Sequence, residues 1–156
     1  MLRCLALLAC LLPLHAATIV LVRHAEKAGP TGDVPLNAAG QQRAALLAKM
    51  LRDLKFTAVY TTEFRRTQET AAPLAAAQNL KPVVLKAQDL DGLLNQLKAA
   101  TNTDVILVVS HSNLVPTIAE KLAAKIPAMD ETDYSRLIII NTSAAPATLA
   151  TLRFGE

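Results

Sequence analysis

The sequence predicts an α/β domain of three layers, with helices on both faces of a mostly parallel central sheet. Two runs of aliphatic and β-branched residues, Thr18–Val22 and Asp104–Val109, are continuous rather than alternating. That is the pattern of strands buried on both faces, as at the centre of a parallel sheet. Strand-like runs alternate with helical stretches through most of the chain, the order that builds βαβ units. At 156 residues the chain fits one domain whose core needs no staples.

In order, Thr18–Val22 is the first strand and Arg23-His24 stands at its carboxyl tip, where open α/β sheets bind ligands. Ala28–Pro35, rich in Gly and Pro, is a loop. Asn37 caps a helix to about Leu54 that aligns Ala44, Leu47, Leu51 and Leu54 on one face. Phe56–Tyr60 is a second strand and Glu63–Asn79 a second helix, which Pro73 should kink or restart. Pro82–Leu85 is a third strand, and Asp89 caps a third helix to Ala100. Asp104–Val109 is the second central strand. It ends at Ser110-His111-Ser112, and Asn113 opens a fourth helix to about Ala124, with Pro116 tolerated in its first turn. Arg136–Asn141 and Ala147–Leu152 are closing strands.

The residues before this domain are of another kind. Met1–Arg3 is short and basic, Cys4–Leu14 is apolar, and Leu14-His15-Ala16 ends the run with a small residue, the layout of a secretory signal peptide. As a membrane span the run is too short, since about 17 apolar residues are the usual minimum. Residues 1–16 therefore read as a cleaved signal peptide and 17–156 as the mature domain, periplasmic or secreted and without stable membrane insertion. Leu7-Leu8-Ala9-Cys10 offers lipidation at Cys10 as the lesser alternative. Cleavage after Ala16 removes both cysteines and His15, leaving no disulfide, no thiol chemistry and two histidines, His24 and His111.

A net charge of +3, with two Tyr, three Phe and no Trp, is too mild and too poor in stacking surface to argue for nucleic acid. The local arrangement says more. The two most apolar strands each end in a histidine, so if they are neighbours both imidazoles meet at one edge of the sheet. A lone histidine is as often a hydrogen-bonded structural residue as a functional one; two at equivalent positions tilt the balance. A zinc site would want three or four ligands, and Arg23 beside His24 disfavours a cation. Arginine beside histidine suits an anion instead: a guanidinium grips phosphate through paired charge-assisted bonds, and the helix opening at Asn113 adds backbone donors. The second helix, starting near Glu63, brings Arg65 and Arg66 close to the tip of the second strand. They point about 100° apart, so one faces the site and the other is a solvated charge.

Arg23-His24-Ala25-Glu26-Lys27 resembles the RHG signature of the histidine phosphatase superfamily, the phosphoglycerate mutase-like fold. Three further blocks agree in order and spacing: Pro35–Gly40 (PLNAAG), Tyr60–Ala71 (YTTEFRRTQETA) and Val108–Asn113 (VVSHSN). The resemblance makes 17–156 a histidine phosphatase domain. It implies that His24 is the nucleophile that takes the phosphoryl group, and that Arg23, Arg66 and His111 hold the phosphoryl oxygens. Arg66 is chosen over Arg65 because it aligns with the family's arginine before a small residue, here Thr67. No metal and no cofactor is called for. Phosphoryl transfer needs positioning and charge stabilisation, which a cationic pocket supplies. The same field should keep His24 neutral and nucleophilic.

Departures from the pattern bear on substrate. Ala25 replaces Gly, a small change if the backbone there is not at positive φ. Pro30 stands where mutases carry an Asn. Lys27 is a site charge or a solvated loop lysine, and Glu26 a rim residue or a salt-bridge partner. No general acid is assigned: Ser112 follows His111 where relatives carry Asp, and Asp89, in the right region with Asp91, reads equally well as a helix cap. Only Lys86–Gln88 separate the third strand from its helix, where larger relatives insert a lid, so the site should be open, and the absence of closure argues against mutase chemistry. The acidic stretch Asp130, Glu131 and Asp133 reads as a solvated loop. The expected function is an exported phosphohydrolase acting through a phosphohistidine on a phosphorylated small molecule, protein or envelope glycan; the alternative is a phosphate-binding module with the same pocket.

Overall fold

A computed structural model describes residues 17–143 and 145–155; the segment read as a signal peptide lies outside them. Ten elements follow in chain order: β1 (Thr18–Arg23), α1 (Ala38–Met50), β2 (Ala58–Thr62), α2 (Arg65–Ala77), β3 (Val83–Leu85), α3 (Leu90–Ala99), β4 (Val105–Ser110), α4 (Leu114–Leu122), β5 (Arg136–Asn141) and β6 (Thr148–Arg153). The strands form one six-stranded sheet in the order β3-β2-β4-β1-β5-β6. The four strands from β3 to β1 are parallel, and β5 and β6 add an antiparallel margin.

The continuous apolar runs are explained by what covers them. Ile19 and Leu21 of β1, with Ile106 and Val108 of β4, pack with Leu97 of α3 and Val115, Ile118 and Ala119 of α4. The intervening Val20, Val22, Leu107 and Val109 pack on the opposite face with Leu47 of α1 and Ala71, Leu74 and Ala75 of α2. Each fully buried aliphatic side chain contributes about 2 kcal/mol relative to exposure, so neither face of β1 could carry polar residues cheaply. This is the three-layer arrangement the alternation implies, and it fixes the site. The helix after β1 lies on one face and the helix after β4 on the other, so the crevice where ligands bind opens between the carboxyl ends of these neighbouring strands.

Three expectations shift. α1 ends at Met50, and Leu54 is exposed rather than on the buried face. β2 begins at Ala58, two residues later than the apolar run, because Phe56 serves the core at the strand's entrance, where its N–H donates to Gln78 Oε1 at 2.9 Å. α2 starts at Arg65, whose N–H donates to Asp33 Oδ1 at 2.7 Å, and it runs through Pro73 without restarting. Both caps expected from sequence are present: Asn37 accepts from Gly40 N–H at 2.9 Å and Asp89 from Gly92 N–H at 3.0 Å.

The start of α1 lies directly on the chain that leaves β1. Asn37 N–H donates to the Glu26 carbonyl at 2.9 Å, Ala28 N–H to the Pro35 carbonyl at 2.8 Å, and Lys27 bridges Leu36. Gly40 faces this backbone so closely that a Cβ there would stand 2.2 Å from the Glu26 oxygen. Among the described residues, no helix is long and apolar enough to cross a membrane.

Candidate active site

β1 and β4 pair in register, with Arg23 opposite Ser110, so the next residue on each strand leaves the sheet beside the other. His24 N–H donates to the Ser110 carbonyl at 2.9 Å, and the His24 and His111 ring centroids lie 5.4 Å apart at 65°. Both rings line a cavity of about 620 Å³, together with Arg23, Lys27, Phe64, Arg66, Ser112 and Glu131.

The His24 tautomer follows from its neighbour. Nδ1 lies 2.8 Å from the Ala25 carbonyl, which can only accept, so Nδ1 carries the proton and Nε2 presents its lone pair. The imidazole is lowered to about 4, chiefly by burial, with Arg23, His111 and Arg66 adding to the effect and the Ala25 bond opposing it. His111 is lowered to about 4 as well, by burial and then by Arg66. Thr67 Oγ1 donates to the Phe64 carbonyl at 2.8 Å, so it accepts from Thr62 Oγ1 at 2.9 Å, which in turn accepts from His111 Nε2 at 3.0 Å. This relay orients the second imidazole and leaves Nδ1 as its remaining polar atom.

The two arginines arrive differently. Arg66, in the first turn of α2, lies 4.3 Å from the Phe64 ring centroid and donates to the Gly32 carbonyl at 3.3 Å. Arg65 turns outward to Glu69 at 3.1 Å. Arg23 is nearly buried, its guanidinium 4.2 Å from the Tyr134 ring centroid, with Nη1 donating to the Asp130 carbonyl at 2.9 Å. Its Nη2 pairs with Glu131 Oε2 at 3.2 Å, and the other Glu131 oxygen accepts from Ser112 Oγ at 2.9 Å. The Nε atoms of Arg23 and Arg66 are both buried with no hydrogen-bond partner among the described residues.

Sequence comparison points the same way as the geometry. The profile described as histidine phosphatase superfamily (branch 1) matches residues 19–90, a span that holds the Arg23-His24 tip and the Arg66 turn. Over those residues, a little under half of its length, the chain is similar to the histidine phosphatase superfamily. Two uncharacterized Mycobacterium tuberculosis proteins, Rv0525 and MT0547, are each 41% identical to it over 66 residues, 38% of this chain and 33% of theirs. The chain thus matches about a third of the length of these curated relatives. A candidate alpha-ribazole-5'-P phosphatase of Escherichia coli is similar in structure, with TM-score 0.72 at 18% identity over 88% of this chain and 96% of that one. A candidate phosphohistidine phosphatase SixA of Agrobacterium tumefaciens gives 0.69 at 18% identity over 88% and 98%. These likenesses establish the phosphoglycerate mutase-like fold.

Within this fold, the four expected site residues Arg23, His24, Arg66 and His111 lie around one cavity. Lys27 lines it too, its Nζ donating to the Pro30 carbonyl at 2.7 Å. Glu26 is the salt-bridge partner rather than a rim residue, gripped by Arg43 at 2.7 Å with its carboxyl held below the usual range despite burial. Ala25 is not at positive φ and donates its N–H to Thr70 Oγ1 at 2.9 Å, so the exchange for Gly is accommodated. Asp89 and Asp91 do not line the cavity. Sequence reasoning missed Glu131, Tyr134 and Phe64. Phe64 sits two residues before Arg66 and its ring packs edge-on against His111 at 5.3 Å, a signal that was available in an aromatic at the start of a basic helix. Among the described residues, no group of three or more His, Cys, Asp or Glu side chains is arranged to hold a metal ion.

The two depressed histidines have a consequence for stability. Below the ordinary histidine value the unfolded chain binds protons that the native site refuses, so stability falls as pH drops from about 6.5 toward 4 and is flat above that window. The loss is on the order of a few kcal/mol for the pair. Thermal unfolding recorded from pH 7.5 to 5 should show Tm declining over the lower half of that interval. A constant Tm down to pH 5 would contradict the buried neutral pair.

Proposed function

We propose that the chain is a metal-independent phosphohydrolase that transfers a phosphoryl group to His24 Nε2 and then to water. The observation that carries this reading is His24 itself: a buried imidazole whose proton is fixed on Nδ1 by the Ala25 carbonyl, leaving Nε2 nucleophilic in a cavity shared with two guanidinium groups. In the first step the Nε2 lone pair attacks phosphorus and the bond to the leaving group breaks. Arg23 and Arg66 stabilise charge on the phosphoryl oxygens, a role suited to donors already held in place. His111 joins them through Nδ1, which donates once the arriving dianion has raised its proton affinity. Water then attacks the phosphohistidine and releases phosphate.

The substrate class follows from openness. Four residues connect β3 to α3, and Ala87, Gln88 and Leu90 edge the cavity without covering it. A site of this kind suits a phosphorylated macromolecule, such as a phosphoprotein or envelope glycan, or a range of small phosphomonoesters. Export belongs to the same proposal, through cleavage after Ala16 or, less favoured, lipidation at Cys10. A second reading, a phosphate-binding module that turns over slowly, is favoured by one feature: Glu131 already occupies Arg23 Nη2.

A phosphoryl trap separates the two. The mature chain is mixed with acetyl phosphate or p-nitrophenyl phosphate, quenched and analysed by mass spectrometry. The enzyme reading expects an acid-labile, base-stable adduct on His24 together with multiple turnovers. Folded protein that binds phosphate but gives neither adduct nor turnover with either donor is a binding module.

A further inference from the structure

We infer that Glu131 is the proton donor of this site, passing a proton to the leaving oxygen as the P–O bond breaks and recovering one from the attacking water. The inference rests on the phosphohydrolase reading. Glu131 is the one carboxylate among the residues lining the cavity. Every other acidic group near the site is engaged elsewhere: Glu26 by Arg43, Glu63 by the Ala87 N–H at 2.7 Å, Glu69 by Arg65 and the Leu36 N–H, and Asp133 by Arg136 at 2.6 Å. Asp130 accepts from Thr132 in its own turn.

Glu131 differs from these in how it is held. Its side chain is 76% exposed, and it is tethered by two side chains of the site itself, Arg23 and Ser112. In the free site the Ser112 hydroxyl, then Arg23, Lys27 and His24, hold its carboxyl below the ordinary value. A phosphoryl dianion that takes Arg23 Nη2 removes one of those supports and sets negative charge beside the carboxylate. Both changes favour the protonated form, the form a donor needs at the moment the substrate is in place.

The proton accounting closes over the cycle. His24 Nε2 forms the P–N bond while the leaving oxygen takes the Glu131 proton and departs as an alcohol. Water then forms a P–O bond, the P–N bond breaks, and the water proton returns to the Glu131 carboxylate. Neither oxidant nor metal is required.

The test uses Glu131→Gln and Glu131→Ala with phosphate esters of graded leaving groups, from p-nitrophenyl through phenyl to alkyl phosphates, folding being checked by thermal melts. A donor predicts a loss that grows with leaving-group basicity, from less than about tenfold for p-nitrophenyl to about 10³-fold for alkyl phosphate, the range of general acid catalysis. Equal losses on all esters would mark a positioning role and overturn the inference. A gain in rate with tighter inhibition by inorganic phosphate would mark Glu131 as a competitor for Arg23 and overturn it too. Absence of adduct and turnover in the unaltered chain would instead defeat the phosphohydrolase reading itself.

Discussion

His24→Ala is expected to abolish the phosphoenzyme and to lower kcat/KM on the order of 10³-fold or more, the scale seen when a covalent nucleophile is deleted. The proposed mechanism gives the other imidazole and the two guanidinium groups different tasks. His111 has its Nε2 engaged by Thr62 and its Nδ1 assigned to a phosphoryl oxygen, and a guanidinium group offers no free lone pair. The variant should still fold, because the backbone bond from residue 24 to the Ser110 carbonyl does not depend on the imidazole. It should also still bind inorganic phosphate, since both guanidinium groups remain. Activity, adduct formation and phosphate affinity measured together give the decisive pattern: adduct and turnover lost, affinity kept. Residual turnover near the unaltered level would mean that water attacks phosphorus directly or that the nucleophile lies elsewhere.

Gly40→Ala is expected to destabilise the domain by about 3 kcal/mol or more, the upper range for overpacking, because the added methyl meets backbone rather than a side chain that could swing aside. A loss of that size lowers Tm by roughly 10 °C in a chain of this length. The Glu26 oxygen that would be struck lies two residues after His24 and accepts the Asn37 N–H, so relief by backbone movement must pull on the strand tip that carries Arg23 and His24. Activity should therefore fall at temperatures where the variant is still folded. Calorimetry and steady-state rates at low temperature check both parts. A Tm within a degree of the unaltered chain would show that α1 can slide away from the loop without consequence.

What sequence made legible were features whose cause is local or whose burial is complete. β1 and β4 stand out because cover on both faces forbids polar residues, and the caps Asn37 and Asp89 stand out because they serve N–H groups three residues on. The pair of histidines followed from the strands. Phe56 misled because an apolar residue before a strand can serve the core without joining the ladder. Glu131 was hidden by distance in the chain: it meets Arg23 across 108 positions and Ser112 across 19, and in sequence it is one charge in an acidic loop. Asp33 at the start of α2, 32 positions from the N–H it caps, was hidden for the same reason.

The strand order has a consequence for how the chain comes into being. β1 is made first, yet its two neighbours in the sheet are residues 105–110 and 136–141. Nothing synthesised before β4 can pair with it, and the loop to be closed is long, which delays nucleation. A growing chain therefore carries an unpaired, aggregation-prone apolar strand until most of its length has emerged. Under the export proposed above, such late closure would keep the polypeptide threadable while it crosses the membrane.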